Sequence, residues 1–263
     1  MKNTLYVTFI TLIFLSCKSV EPLKGHEKYF GRPKEILIDS YSGIGELKKS
    51  NYQTIEQYDK KGRLVTLKSV GINFMCFKYD YDKHGNMIKL SFLDDKGTII
   101  GETYKKYNKK SKLIYEESWR HNQEKKRSII YSYNKKGKLS EAEATENGTL
   151  LHKETYQYRN GNTVVSTSFD SKNNKTNSRT KIAISNNIET VILQNGKGDT
   201  TSIYSNKFDR YGRKDGEERL YPKPTIQASH VKRILDSKNN CIVETITLNN
   251  GYISVEKRMI TYW

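Results

Sequence analysis

The feature that most constrains this chain is a short segment that returns at a nearly constant spacing. It reads Tyr58-Asp59-Lys60-Lys61-Gly62-Arg63-Leu64, then Tyr81-Asp82-Lys83-His84-Gly85-Asn86-Met87. Next come Tyr107-Asn108-Lys109-Lys110-Ser111-Lys112-Leu113 and Tyr133-Asn134-Lys135-Lys136-Gly137-Lys138-Leu139. A weaker copy follows at Tyr158-Arg159-Asn160-Gly161-Asn162, and a late one at Phe208-Asp209-Arg210-Tyr211-Gly212-Arg213. The first residues lie 23, 26, 26, 25 and 50 residues apart, the last gap being two periods. Self-similarity at such a period marks an array of one supersecondary unit.

Each copy has the chemistry of a tight turn. The Asp or Asn hydrogen-bonds amides two residues on, and the Gly takes the positive φ that closes a hairpin. Secondary turns are predicted near Asp94-Asp95-Lys96-Gly97, Glu146-Asn147-Gly148, Ser171-Lys172-Asn173-Asn174 and Gln194-Asn195-Gly196. Two strands of about eight residues and two turns of about four fill one period, so the repeat is one β-hairpin. Phe77, Tyr79 and Tyr81 alternate with Cys76, Lys78 and Asp80, and Ile129, Tyr131 and Tyr133 alternate with Ser128 and Ser132, as strands require. Tyrosines just before each turn are expected to form ladders across paired strands. None of the four prolines falls between residues 34 and 221, and long helical patterns are missing outside the N-terminal signal. The predicted fold class is all-β: an elongated antiparallel meander of hairpins in a twisted or spiralling sheet.

The copies resemble the YD repeats of the Rhs and teneurin families, whose core is Tyr-x-Tyr-Asp-x-x-Gly-Arg/Asn-Leu. Tyr79-Asp80-Tyr81-Asp82-Lys83-His84-Gly85-Asn86 carries that core, and Tyr131-Ser132-Tyr133-Asn134-Lys135-Lys136-Gly137-Lys138-Leu139 carries it with Asn for Asp. The resemblance covers residues 55 to 215 or thereabouts and implies a spiralling strip of hairpins serving as a shell or adhesive rod. It speaks to architecture more than to activity. The Asp-Pro autocleavage site of those families has no counterpart here.

The N-terminus reads as an export signal: Lys2 precedes the eleven-residue apolar run Leu5 to Leu15, too short for a helix that needs roughly 20 residues to span a bilayer. Leu15-Ser16-Cys17 resembles the lipobox of bacterial lipoproteins, in which the cysteine becomes the lipidated first residue. The resemblance implies a membrane partner reached through lipid on Cys17 and a place in the bacterial cell envelope, at the outer membrane, on its periplasmic or outer surface. Residues 17–33, with Pro22 and Pro33, read as a tether and 34–263 as one repeat domain capped by the strands after about 226. Cys76 and Cys241 remain as a pair distant in sequence, expected to be free buried thiols.

Hydrophobic residues make up 35% and charged ones 29% of the chain, a thin core better suited to an extended sheet than to a deep globule. Loss of residues 1–16 removes only Lys2 and takes the formal charge from +17 to +16, an excess that favours anionic partners. The five histidines, His26, His84, His121, His152 and His230, lack ligand spacing, so no metal, no cofactor and no catalytic residue is expected. The sequons at Asn147 and Asn174 carry no weight in a bacterium. One constellation does point to binding: Lys60-Lys61, Lys109-Lys110 and Lys135-Lys136 sit at the tips of turns, and a regular stack would line them along one edge. Such a stripe fits an acidic glycan or lipid headgroup; it also fits turn lysines that merely keep edges soluble. The expected function is an envelope-anchored, non-catalytic binding or structural scaffold with a glycan, lipid or protein partner and no nucleic acid. The alternative is an immunity or accessory protein for a secreted toxin, and an enzyme is the third class.

Overall fold

A computed structural model describes residues 29–263 apart from 72–73, 122, 186, 209–213, 223–229 and 249. It consists of one 18-stranded sheet. The first half contains β1 (Pro33–Ile44), β2 (Lys48–Tyr58), β3 (Leu64–Gly71), β4 (Met75–Tyr81), β5 (Met87–Leu93), β6 (Ile99–Tyr107), β7 (Leu113–Arg120), β8 (Gln123–Tyr133) and β9 (Leu139–Glu146). The second contains β10 (Thr149–Arg159), β11 (Thr163–Asp170), β12 (Lys175–Ser185), β13 (Ile188–Asn195), β14 (Thr200–Phe208), β15 (Lys214–Tyr221), β16 (His230–Leu235), β17 (Cys241–Thr247) and β18 (Tyr252–Tyr262). Every pairing is antiparallel, and from β1 to β15 each strand pairs with the next, so the hairpin meander read from the sequence is the fold.

The C-terminal strands do something a simple cap would not. β16, β17 and β18 pair in order, and β18 then runs alongside β1 from Pro33↔Tyr262 to Ile44↔Tyr252. The strip therefore begins at β16 and ends at β15, two strands that are consecutive in sequence. Laid flat, eighteen strands would span about 85 Å, whereas the eight residues 222–229 between them reach at most roughly 30 Å. The sheet must curl, and Cα atoms of β15 and β16 come within 8 Å of each other.

The registers divide the strands into two faces. Phe77 faces Phe92, Tyr79 faces Leu90, and Ile129 and Tyr131 face Ala144 and Ala142, so the predicted alternation holds and the tyrosines before the turns share one face. That face is the drier one. Burial raises Tyr79 well above the usual phenol range and pushes Tyr107 up to about 12, while Tyr104 and Tyr115 on the other face bond the carboxylates of Glu102 and Glu117. With a single sheet and no second layer among the described residues, a face is shielded only where the sheet bends over it, which puts the tyrosine face inside the curl. There the charged side chains pair across strands, Lys105 with Glu116 at 3.1 Å and Arg233 with Glu244 at 2.6 Å, as buried charge requires. The apolar core is small: Ile36, Tyr58 and Leu64, with Tyr29, Ile38, Leu67, Tyr79 and Ile260 packed against them where the first and last strands meet.

Cys76 on β4 and Cys241 on β17 are both buried and are not joined in a disulfide. Five strand spacings separate them, roughly 24 Å, far beyond disulfide reach.

Candidate functional site

The turns are built from one local device. In Asp59–Arg63 the Asp59 carboxylate accepts the N–H of Lys61 (2.8 Å) and of Arg63 (3.0 Å), Gly62 donates to the Asp59 carbonyl (2.8 Å), and Gly62 sits at φ 76°. Register shifts where Tyr58 meets Leu64, so the turn carries a bulge. The same bonds recur at Asp82, where Gly85 takes the positive φ, and at Asn108, where Ser111 takes it. At Asn134 the Lys138 amide donates to the side chain and Gly137 closes the turn. Burial pushes Asp59 up, but the amides of Arg63 and Lys61 and the Arg63 guanidinium outweigh it and hold the carboxyl below its ordinary range. Asp94, Asp170 and Asp236 close their turns in the same way. The predicted turn at 194–196 lies slightly later: Asn195 bonds Asp199, and Gly198 rather than Gly196 takes the positive φ.

Because strands alternate in direction, every second turn falls on the same end of the sheet. The turns at 59–63, 82–86, 108–112 and 134–138 are therefore neighbours on one rim, about 10 Å apart. The start of β1 and the end of β18 lie on that rim too. Side chains staple adjacent turns together. The hydroxyls of Tyr81, Tyr107 and Tyr133 donate to the carbonyls of Leu64, Met87 and Leu113, the first residue after the preceding turn, at 2.7, 2.9 and 2.7 Å. Arg63, Lys112 and Lys138 lie over the rings of Tyr81, Tyr133 and Tyr158 at 4.8, 5.1 and 4.7 Å. A cation thus covers these rings where a ladder of stacked tyrosines was expected. An intervening strand separates successive tyrosines, which is too far for ring-to-ring contact.

All six lysines of the predicted stripe, Lys60, Lys61, Lys109, Lys110, Lys135 and Lys136, are exposed on this rim. Cys17 and His26, together with Asp209 and Gly212 of the late repeat, lie outside the described residues; Phe208 ends β14 and donates its N–H to Asn187. His84 and His152 are both exposed, and partial desolvation, helped by Arg127, holds His152 below its usual value. Among the described residues no three His, Cys, Asp or Glu side chains gather as metal ligands.

What sequence reasoning missed is how residues 30–34 and 236–263 meet on this rim. Asn240, 2% exposed, accepts the N–H of Phe30 (2.6 Å) and donates to its carbonyl (2.9 Å). Its amide also reaches the Tyr262 hydroxyl, which in turn donates to Asp236. Trp263 donates to the Arg32 carbonyl, and its half-exposed ring lies beneath Lys34 and Lys60 at 5.5 and 5.6 Å. The ordered fold thus starts before residue 34: Pro33 is already in β1, and Tyr29 packs edge-on against Tyr58. The available signal was the Asp236-to-Asn240 spacing, which repeats the Asp82-to-Asn86 spacing of the array.

No protein-family model matches the sequence, and no curated protein is significantly similar to it. Several solved structures resemble the fold. A porin-like protein from Bacteroides uniformis is 11% identical with a TM-score of 0.49 over 88% of this chain and 98% of that one. The TcdB2-TccC3 protein without its hypervariable C-terminal region is 12% identical, with a TM-score of 0.34 over 76% of this chain and 15% of that one. A DUF1329 family protein from Desulfovibrio piger is 7% identical with a TM-score of 0.20, covering 88% and 86% of the two chains. At these identities and scores no activity passes from them to this chain.

Proposed function

We propose that this is an envelope-anchored lipoprotein with a YD-repeat-like sheet, a non-catalytic scaffold that uses its lysine-bearing rim to hold a polyanion. The observation that carries the reading is the gathering of three exposed lysine pairs on one rim by turns of identical construction. The scaffold part is supported by the inner face, whose charged groups are engaged with each other: Lys105 with Glu116, Arg233 with Glu244, Lys181 with Glu189. The outer face carries Lys126–Glu117 and Lys153–Glu141 pairs, which suits contact with water rather than hydrocarbon.

Binding to a soluble anionic polysaccharide such as polygalacturonate, measured at low and high salt, tests the rim. Binding should fall steeply with salt and be lost when Lys109, Lys110, Lys135 and Lys136 are all changed to Glu. Salt-insensitive binding, or equal binding by the variant, overturns the reading. Fractionation of cells expressing Cys17→Ala tests the anchor: the variant should leave the membrane fraction, and retention there removes the lipoprotein assignment.

A further inference from the structure

We propose that the lysine-bearing rim docks against an anionic bilayer surface, with Trp263 seated at headgroup level and the N-terminal tether leading to the same membrane. The proposal rests on the envelope-anchored reading and names its polyanion as the headgroup layer.

The first ground is charge polarity between the two rims. By sequence the turns 59–63, 82–86, 108–112 and 134–138 carry net charges of +2, 0, +3 and +3, whereas no turn of the opposite rim carries more than one net charge of either sign. A charge excess confined to one end of the sheet orients the molecule toward an anionic plane. Successive turns are also held in fixed relation, Asn86 to Ser111 at 3.3 Å and Lys112 to the Gly137 carbonyl, so the lysines are presented together with little ordering left to do on contact.

The second ground is aromatic. Trp263 is 54% exposed and Phe30 43% exposed on the same rim. Trp263 has lysine ammonium groups over its ring. An indole flanked by cations is the residue pattern found at membrane–water interfaces. Exposed apolar rings that add nothing to the core described above gain by entering that layer.

The third ground is where the chain arrives. The two Phe30–Asn240 bonds fix the beginning of the described chain to this rim, and Cys17 lies twelve residues before Tyr29. Those residues extend at most about 40 Å, so a lipid on Cys17 holds this rim within that distance of the bilayer. Charge acts only over a Debye length of about 10 Å, which makes tether and rim complementary: the lipid supplies proximity and the lysines supply contact.

The test is vesicle co-sedimentation of the chain from residue 17 with Cys17→Ser, so that no lipid contributes. Binding is expected to vesicles of mixed phosphatidylglycerol and phosphatidylcholine, to vanish at high salt, and to be absent for phosphatidylcholine alone. Tryptophan emission should shift to the blue on binding, and the shift should disappear in Trp263→Phe while Trp119 remains. Changing Lys109, Lys110, Lys135 and Lys136 to Glu should weaken binding at least about a hundredfold, since each lysine near such a surface contributes roughly fivefold and four are lost. Changing Lys96, Lys172 and Lys197 of the opposite rim to Glu should matter less than the basic-rim set, with circular dichroism confirming that both variants fold. Equal binding to both vesicle types, or equal loss from the two rims, overturns the proposal. If polygalacturonate is bound and vesicles are not, docking fails and the polyanion reading stands; if neither is bound, both fail.

Discussion

The two rims of the sheet use the same turn and differ in everything around it. Asp82 on the basic rim and Asp170 on the opposite rim each accept two backbone N–H groups and the side-chain amide of an asparagine four residues on. The hairpin is therefore closed identically at both ends. On the basic rim a tyrosine precedes the turn, its hydroxyl bonds the neighbouring hairpin, and a Lys or Arg lies over its ring. Asp170 instead follows Phe169, a ring with no hydroxyl to donate. The difference teaches that turn chemistry closes individual hairpins, while residues flanking the turn decide whether hairpins are fastened to one another and what the rim presents to solution.

Acid should affect both rims at once and most broadly. Folding lowers the pKa of Asp59, Asp82, Asp170 and Asp236 below the ordinary 3.8. Their contribution is thus complete above that pH and is lost as pH falls through it toward the folded values. Thermal melts across this range should show stability dropping below about pH 4, and a melting temperature flat from neutral pH to 3 contradicts the shared turn chemistry. Asn240→Ala separates the rims most sharply. It removes the two part-buried hydrogen bonds to the Phe30 amide and carbonyl and should cost about 2 kcal/mol, whereas Asn174→Ala, at the same turn position but exposed, should cost less than about 1 kcal/mol. Denaturant midpoints decide this, and similar losses would erase the contrast. Tyr133→Phe removes one staple to the Leu113 carbonyl and should cost about 1 kcal/mol in the same measurement. Ser111→Gly runs the other way. Ser111 holds φ 54° where Gly62, Gly85 and Gly137 stand in the neighbouring turns, so relief of left-handed strain, less the entropy glycine adds to the unfolded chain, should stabilise by roughly 0.5 kcal/mol.

The meander was legible in the sequence because its signals are local. Asp59 or Asn134 with a glycine three residues on specifies a turn whatever surrounds it, and the alternation of Phe77, Tyr79 and Tyr81 specifies a strand with two faces. The lysine stripe was legible for the same reason, since even spacing of identical hairpins places alternate turns on one end. The clamp at Asn240 was not. Its partner Phe30 lies 210 residues away, and nothing near Asn240 distinguishes it from Asn174, which closes an exposed turn. The inner-face ion pairs were equally hidden, because Lys105 and Glu116 look in sequence like any solvated lysine and glutamate until strand register sets them opposite each other.

By itself the sequence determined the unit and its repetition: a hairpin about 25 residues long, a tyrosine face, a lysine-tipped turn and a formal net charge of +17. Backbone geometry and side-chain alternation act over a few residues, so they can be read a few residues at a time. Only the tertiary structure decided that β18 lies beside β1, that the strip must therefore curl until its ends approach, and that Phe30 and Trp263 both meet the basic rim. Those outcomes depend on pairing between strands more than two hundred residues apart, where hydrogen-bonding edges are alike and the choice is made by the whole sheet rather than by any one segment.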